Sequence, residues 1–392
     1  MQPNQNYLLD SFTEVYECST TIHPLDLIDQ VIAKSFSLPS KDIQAPIIKS
    51  CIVSSSKYAS ILPLVCCYGP SGSGKSQLGK LVSGLYQMPS NYILAGKTTA
   101  VAIRNLIQLQ KYGEDWAEGE PDEENPVILV WDDIDLDILK DSYLLSILKS
   151  GYSRKSANIA IAQAGGSNLY FNCFALKYTS TIHPFWSLGE FVELSRRILI
   201  LPHSYYQDFG EEDKANNLIP DDLIDLDYIS FEGYKEMRQF EPDILEQQKL
   251  GKIRRSIKQR LRHSNLPNSF GKLVFDLLCF GTLWGVFSSE AEAITSFEAF
   301  YSLQESCLSE KSEFDYWLDR YLGELIAVDS QLIQVKSLGE PMVIPRAKLQ
   351  KAVDAAIKSN EIPNSRYDLA TVMRQRGWKL TGLYSNAFER HI

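Results

Sequence analysis

The feature that most constrains this chain is the stretch Gly69-Pro70-Ser71-Gly72-Ser73-Gly74-Lys75-Ser76, which fits the pattern GxxxxGK[ST]. Before it runs Leu62-Pro63-Leu64-Val65-Cys66-Cys67-Tyr68, whose β-compatible residues predict a buried strand. After it a helix is predicted from Lys75 to Tyr86. A strand that turns through glycines straight into a helix points to an α/β fold. Gly72 and Gly74 let the backbone turn so that successive N–H groups face phosphate oxygens, and the helix adds the positive end of its dipole. Lys75 is expected to neutralise phosphate charge, and the Ser76 hydroxyl to ligate Mg²⁺. The predicted nucleotide contacts are Gly69, Pro70, Ser71, Gly72, Ser73, Gly74, Lys75, Ser76 and Gln77, with ATP and Mg²⁺ as cofactors.

Composition narrows the setting. At ~150 residues per domain, 392 residues suggest two or three domains. A hydrophobic share of 44% and a charged share of 22% exclude wholesale disorder, collagen and coiled coil. The nearly apolar stretch Leu273 to Phe287 is interrupted by Asp276 and too short to span a bilayer, so no membrane partner is expected. The start, MQPNQNYLLD, has neither a basic opening nor an apolar core, which argues against export. The seven cysteines are scattered and without a CxxC pair, so they read as buried small apolar residues of a reducing, cytoplasmic compartment.

Charge is uneven. The net charge is −10, yet residues 201–250 sum to −9 and residues 341–392 to +5. A cationic end on an acidic body allows nucleic-acid contact there, or is simply an uneven solvated surface.

Along the chain, Leu25, Ile28, Val31, Ile32 and Phe36 recur at helical spacing after His23-Pro24. Gly113 to Asn125 holds seven acids and no base and reads as a loop. Val127 to Trp131 is a second strand, followed by a helix to about Leu148. Asn158–Ala164 and Leu169–Phe174, joined by Gly165-Gly166-Ser167-Asn168, predict a hairpin. Phe174–Ile182 and Ile198–Leu201 are further β-rich runs. The segments are then a mostly helical 1–60, a core 61–204, a helical lid or linker 205–335 and a basic end 336–392.

Beside the glycine loop stand other candidates. Asp132 ends the second strand 57 residues after Lys75, where a carboxylate can hold Mg²⁺. Asp133 is a candidate for orienting the attacking water; alternatively Asp133 and Asp135 cap the following helix. The run Phe174 to Thr181 turns abruptly hydroxylated, so Thr179 or Ser180 can feel the γ-phosphate, or merely cap a strand end. Arg196 and Arg197 precede Ile198-Leu199-Ile200 and are placed to leave a subunit edge and meet a neighbour's γ-phosphate, or to face the acidic 201–250 segment.

In order, GPSGSGKS is followed by a threonine-led helix (Thr98 to Arg104), Asp132-Asp133-Ile134-Asp135, Gly151-Tyr152-Ser153-Arg154-Lys155, the hairpin, the hydroxyl-tipped strand and Ser195-Arg196-Arg197-Ile198. This order resembles the ring-forming P-loop ATPases of the AAA+ class. Within them it is most similar to a family of phages, plasmids and integrated elements, often fused or adjacent to primases. That family shows DEAD where this chain has Asp132 to Asp135, and a GxRRG-like element where it has Gly151 to Lys155. To the family's terminal pattern correspond Leu369-Ala370, Gly377-Trp378, Gly382-Leu383-Tyr384, Phe388 and Glu389-Arg390-His391. Asp133 stands in place of a glutamate, and its shorter reach implies slow turnover.

The resemblance implies a homo-oligomeric ring that hydrolyses ATP and acts, helicase- or loader-like, on DNA in mobile-element replication, with a primase as a candidate partner. The alternative is a regulatory ATP switch of signalling or phage defence without helicase activity. A small-molecule kinase needs a phosphoacceptor pocket and an arginine-rich lid close to the loop, and the basic end and the Asp132 to Asp135 strand fit it poorly. Nucleic acid has three candidate contacts. The basic end reads as winged-helix-like, with Arg366–Arg376 as recognition helix, or as a helical cap for protein contact. Lys252 to Arg262 carries six cations in eleven residues and either lies along phosphates or is a solvated helix that satisfies the acids of 201–250. The region 151–172 carries Arg154 and Lys155 at the hairpin's neck, and is otherwise a structural hairpin.

Overall fold

The computed structural model describes residues 24–86, 88, 92–113, 125–134, 136–162, 168–187, 191–204, 240–308, 313–332, 342–359, 361–362, 369–375, 377–381 and 386–390. The acidic loop, the tip of the predicted hairpin, most of the acidic 201–250 segment, Asp135, Arg366, Arg376, Gly382 to Tyr384 and His391 lie outside the described residues.

The apolar runs become strands: β1 (Leu64–Tyr68), β2 (Ile93–Leu94), β3 (Ile128–Trp131), β4 (Asn158–Ala162), β5 (Asn168–Asn172), β6 (Leu176–Thr181) and β7 (Ile198–Pro202). Five of them form one sheet in the order β2-β3-β6-β1-β7, every neighbouring pair parallel. Strands β1 and β3 are apolar, and β1, β3 and β6 are all buried along nearly their whole length, as strands covered on both faces are. Strand β6 lies between β1 and β3, and β7 is at an edge. β4 and β5 pair antiparallel as the predicted hairpin.

Helices α1 (Pro24–Ser35) and α2 (Lys41–Ile52) precede β1, and α3 (Lys75–Leu85) leaves it. Proline is pre-organised for the first turn, where its missing N–H costs nothing, so α1 starts at Pro24. Then come α4 (Ala100–Tyr112), α5 (Leu136–Leu139), α6 (Ser142–Ser150), α7 (Val192–Ser195), α8 (Ile244–Leu261), α9 (Asn268–Leu273), α10 (Phe275–Leu283) and α11 (Glu290–Leu308). The Thr99 hydroxyl caps α4 by accepting from the Ala102 N–H.

Val65, Cys67, Val130, Tyr178, Leu199 and Leu201 share one hydrophobic core with Leu78, Leu81 and Leu85 of α3, with α1 and α2, and with α8 to α11. Residues 24–60 and 240–307, which the sequence sets apart from the sheet segment, are thus part of its packing. Edge strand β7 is closed by Gln304 of α11, whose side chain donates to the Ile198 carbonyl and accepts the Ile200 N–H. The apolar stretch around Leu277 is buried core inside this assembly, and no described helix is long and apolar enough to cross a membrane. Six cysteines, all but Cys18, are described, and all six are buried and outside any disulfide.

Residues Pro184–Ser195 and those after Cys307 form a second unit. It contains α12 (Glu313–Leu332), β8 (Met342–Pro345), α13 (Arg346–Lys358), α14 (Leu369–Gln375), β9 (Lys379–Thr381) and β10 (Ala387–Arg390). Its antiparallel sheet has the order β8-β10-β9, and Leu349, Val353, Leu369, Met373, Trp378 and Phe388 form its core with Phe314 and Leu318 of α12.

Asp276 ties the helical region to the segment before β1. Its carboxylate is buried, accepts the Ser60 and Ile61 N–H groups at 2.7 and 2.9 Å, and pairs with Arg254 at 2.8 Å. Removing one side of such a cluster strands the others in low dielectric. Asp276→Ala should therefore cost about 3–5 kcal/mol, while Arg254→Met, which leaves two backbone donors on Asp276, should cost clearly less. Urea denaturation of the two variants checks the order.

Candidate functional site

The glycine loop connects the end of β1 to the start of α3. Gly72 and Gly74 have φ of 77° and 79°, the left-handed region that a Cβ disfavours. Gly74 precedes α3 without a side-chain cap, and of the first-turn N–H groups that of Gln77 is taken by the Gly74 carbonyl at 3.0 Å. At Gly69 the need is space, since a Cβ there would stand 2.4 Å from the His203 carbonyl oxygen.

Lys75 is buried, and its ammonium donates to the Pro70 carbonyl at 2.5 Å. Burial lowers its pKa, while the nearby Asp133 and Asp132 carboxylates pull it back up. A buried cation at the start of a helix suits an anionic ligand.

On the neighbouring strands the acidic pair is stitched to the loop. The Ser76 hydroxyl donates to Asp132 Oδ1 at 2.8 Å. The Ser180 hydroxyl donates to the same oxygen at 2.6 Å and accepts the Asp133 N–H at 2.8 Å, and the Ser180 carbonyl accepts the Ile134 N–H at 2.9 Å. Asp133 sits at φ 51°, a left-handed conformation unusual for a residue with a side chain. Ser180 holds it there, leaving the Asp133 side chain exposed. A cleft of about 170 Å³ opens beside this cluster, lined among others by Lys75, Ser76, Lys80, Trp131, Asp132 and Ser180.

Of the two hydroxyls proposed at the tip of β6, Ser180 is the one in contact with the acidic pair. Thr179 is buried, pairs in register with Cys66 and Trp131, and its hydroxyl meets the Ser180 carbonyl at 3.4 Å. Ser73 and Gln77 each bury a side-chain oxygen that has no hydrogen-bond partner among the described residues. Arg196 is exposed, and Arg197 lies over the Tyr152 ring at 5.0 Å. Both precede β7, whereas the glycine loop follows β1, and the two strands are parallel. Within one chain they therefore stand at the opposite end of the sheet from the loop.

The other candidate cations divide. Arg154 donates to the backbone carbonyls of Ser56, Lys57 and Ala59 and lies over Phe174, so its charge is engaged inside the fold. Lys155 is exposed. Arg254 is held by Asp276 and the Tyr58 carbonyl, whereas Lys252, Arg255, Lys258, Arg260 and Arg262 are exposed. In the second unit Arg346, Lys348, Lys351, Lys358, Arg374 and Lys379 are exposed.

One residue of the site has no motif to announce it. His203 follows β7, its N–H donates to the Tyr68 carbonyl at 2.7 Å, and its ring Nδ1 lies 3.2 Å from the Ser73 carbonyl. A carbonyl only accepts, so Nδ1 carries the proton and Nε2 the lone pair. Nε2 is buried without a partner, and burial lowers the pKa of the ring from 6.5 to about 4. The unfolded chain thus takes up a proton near pH 6.5 that the folded chain resists until about pH 4. Stability contributed by the neutral ring is complete above pH 6.5 and is lost as pH falls toward 4. At pH 5 the loss should be about 2 kcal/mol, and His203→Gln should flatten the pH dependence of the urea midpoint between pH 6.5 and 5. A slope unchanged in that variant contradicts the assignment.

No family model matches the chain, and no curated protein matches it. The geometry of the site therefore carries the functional reading.

Proposed function

We propose that the chain is a Mg²⁺-dependent ATPase of the ring-forming P-loop class, a helicase- or loader-like motor acting on DNA. The observation that carries this reading is the convergence of Lys75, Ser76, Asp132 and Asp133 at one end of a parallel sheet, beside a glycine loop that runs into the start of α3. The sheet order, with β6 between β1 and β3, agrees with an ATPase core of the AAA+ kind. Ser76 Oγ and Asp132 Oδ1 are adjacent hard oxygen donors, the type Mg²⁺ takes, and these two residues would hold it. Mg²⁺ bound there supplies charge neutralisation for the phosphate oxygens. Lys75 binds the phosphates, the loop amides orient them, and Asp133 holds the attacking water and takes its proton.

The DNA role rests on the second unit. The order α12, β8, α13, α14, β9, β10, with β10 between β8 and β9, agrees with a winged-helix-like domain, and exposed Arg374 sits on α14. In an assembled ring Arg196 would serve the neighbouring subunit, which suits its distance from its own loop. A second reading, a regulatory ATP switch, is favoured by the short Asp133 carboxylate in an exposed, left-handed turn, which suits slow hydrolysis.

The test is ATP turnover with and without single-stranded DNA. DNA stimulation supports the motor; slow turnover indifferent to DNA supports the switch. Lys75→Ala should abolish binding or turnover in a folded chain. Asp133→Asn should still bind ATP and lose about 10²-fold in turnover, whereas Asp132→Asn should change the Mg²⁺ dependence. Identical behaviour of the two aspartate variants overturns their assigned roles. Mixing Arg196→Ala with Lys75→Ala subunits should restore activity; no recovery in assembled mixtures removes Arg196 from catalysis in trans.

A further inference from the structure

Helix α8 presents a cationic face whose side chains the described residues leave unengaged. It begins with a reciprocal cap, Asp243 accepting the Glu246 N–H while the Glu246 carboxylate accepts the Asp243 N–H. Its inner face is fixed: Leu250 and Ile257 are core, Ile253 and Leu261 pack against it, and Arg254 is spent on Asp276. The opposite face is set by the same helical period. Lys252, Arg255 and Arg262 fall at i, i+3 and i+10, with Gln259 at i+7 continuing the row, and all four are exposed. The three cations span about 15 Å of helix. Lys258 and Arg260 flank the row and are exposed too. Among the described residues, the side chain of none of these five cations has an ion pair or hydrogen bond.

Such a face is unfavourable for the helix alone, because like charges three and four residues apart repel. The helix dipole compensates cations only in the last turn, which covers Lys258, Arg260 and Arg262 but not Lys252 or Arg255. The face also runs against the sign of the whole molecule, whose net charge is −10. A membrane-surface helix interleaves apolar residues with its cations. Here the exposed aliphatics are Ile244 and Leu245 at the first turn, beside Glu246, and the cationic row itself has glutamine as its neutral member.

We propose that this face of α8 binds the phosphate backbone of nucleic acid, with Lys252, Arg255 and Arg262 each meeting a phosphate. It rests on the reading of the chain as a nucleic-acid motor but adds a contact surface in the first unit, separate from the second unit's exposed cations.

The experiment measures binding of fluorescent dT30 and U30 oligonucleotides to the full chain against salt, for wild type and for the triple variant Lys252→Gln, Arg255→Gln, Arg262→Gln. Each phosphate contact on a single strand contributes about 0.7 to the slope of log affinity against log salt. The variant should lose about 2 units of slope and at least tenfold in affinity at low salt, with its melting curve unchanged. Arg254→Gln is the comparison, and should lower stability more than it lowers the slope. An unchanged slope in the triple variant overturns the proposal. So does wild-type binding confined to phosphatidylserine vesicles, or absent for both oligonucleotides. A difference between dT30 and U30 identifies the nucleic acid. If the slope falls as expected while ATP turnover is missing, the surface stands and the motor reading falls.

Discussion

The hydrogen bond between Ser76 and Asp132 depends on a strand inserted between two others. Adjacent strands lie about 4.8 Å apart, so β1 and β3 are separated by the width of β6. Ser76 reaches across because α3 starts directly from the glycine loop, and Ser180 on β6 fills the interval by donating to the same carboxylate oxygen. The ends of two strands, β3 and β6, and the start of one helix, α3, thereby meet at a single oxygen atom. The left-handed turn at Asp133 follows from the same contact, since its N–H ends on the Ser180 hydroxyl.

The loop itself is held from the other side of β1. The backbone N–H of His203 extends the β7 pairing to Tyr68, its ring meets the Ser73 carbonyl, and its own carbonyl leaves no room for a side chain at residue 69. A loop fixed at its first residue by β7 and at its far end by α3 offers its amides in a fixed arrangement. Binding energy for an anion is then not consumed in ordering the loop. The burial that lowers the pKa of Lys75 works in the same direction, because the lysine gains a counter-charge when an anion arrives.

Local patterns were legible in the sequence. The glycine loop, the apolar strands around it, the threonine-led helix and the β4–β5 pairing each rest on a few contiguous residues, and the structure carries all four, with Asn168, read as a turn residue, paired instead with Ala162 in β5. The choice between Thr179 and Ser180 was not legible. Successive residues of a strand point to opposite faces, so the choice depends on register against β3, which nothing local reports. The fate of individual cations was hidden for a related reason. Arg154 and Arg254 look like their exposed neighbours in sequence, and only the carbonyls of 56–59 and the carboxylate of Asp276, remote along the chain, turn them inward. His203 carries no motif at all; its role comes from the pairing of β7 beside β1.

The central claim is that the glycine loop and the Ser76–Asp132 pair make one site for a nucleotide and its metal together. Thermal melting of the wild-type chain with ATP and Mg²⁺ together, with each alone, and with ATP plus a chelator tests it most directly. A ligand that binds only the folded chain at 100 times its Kd adds about 2.7 kcal/mol, enough to raise Tm by a few degrees. The account predicts a clear upward shift with both ligands present, larger than the shifts with each alone combined, and its collapse on chelation. Equal melting temperatures in all four conditions would contradict it.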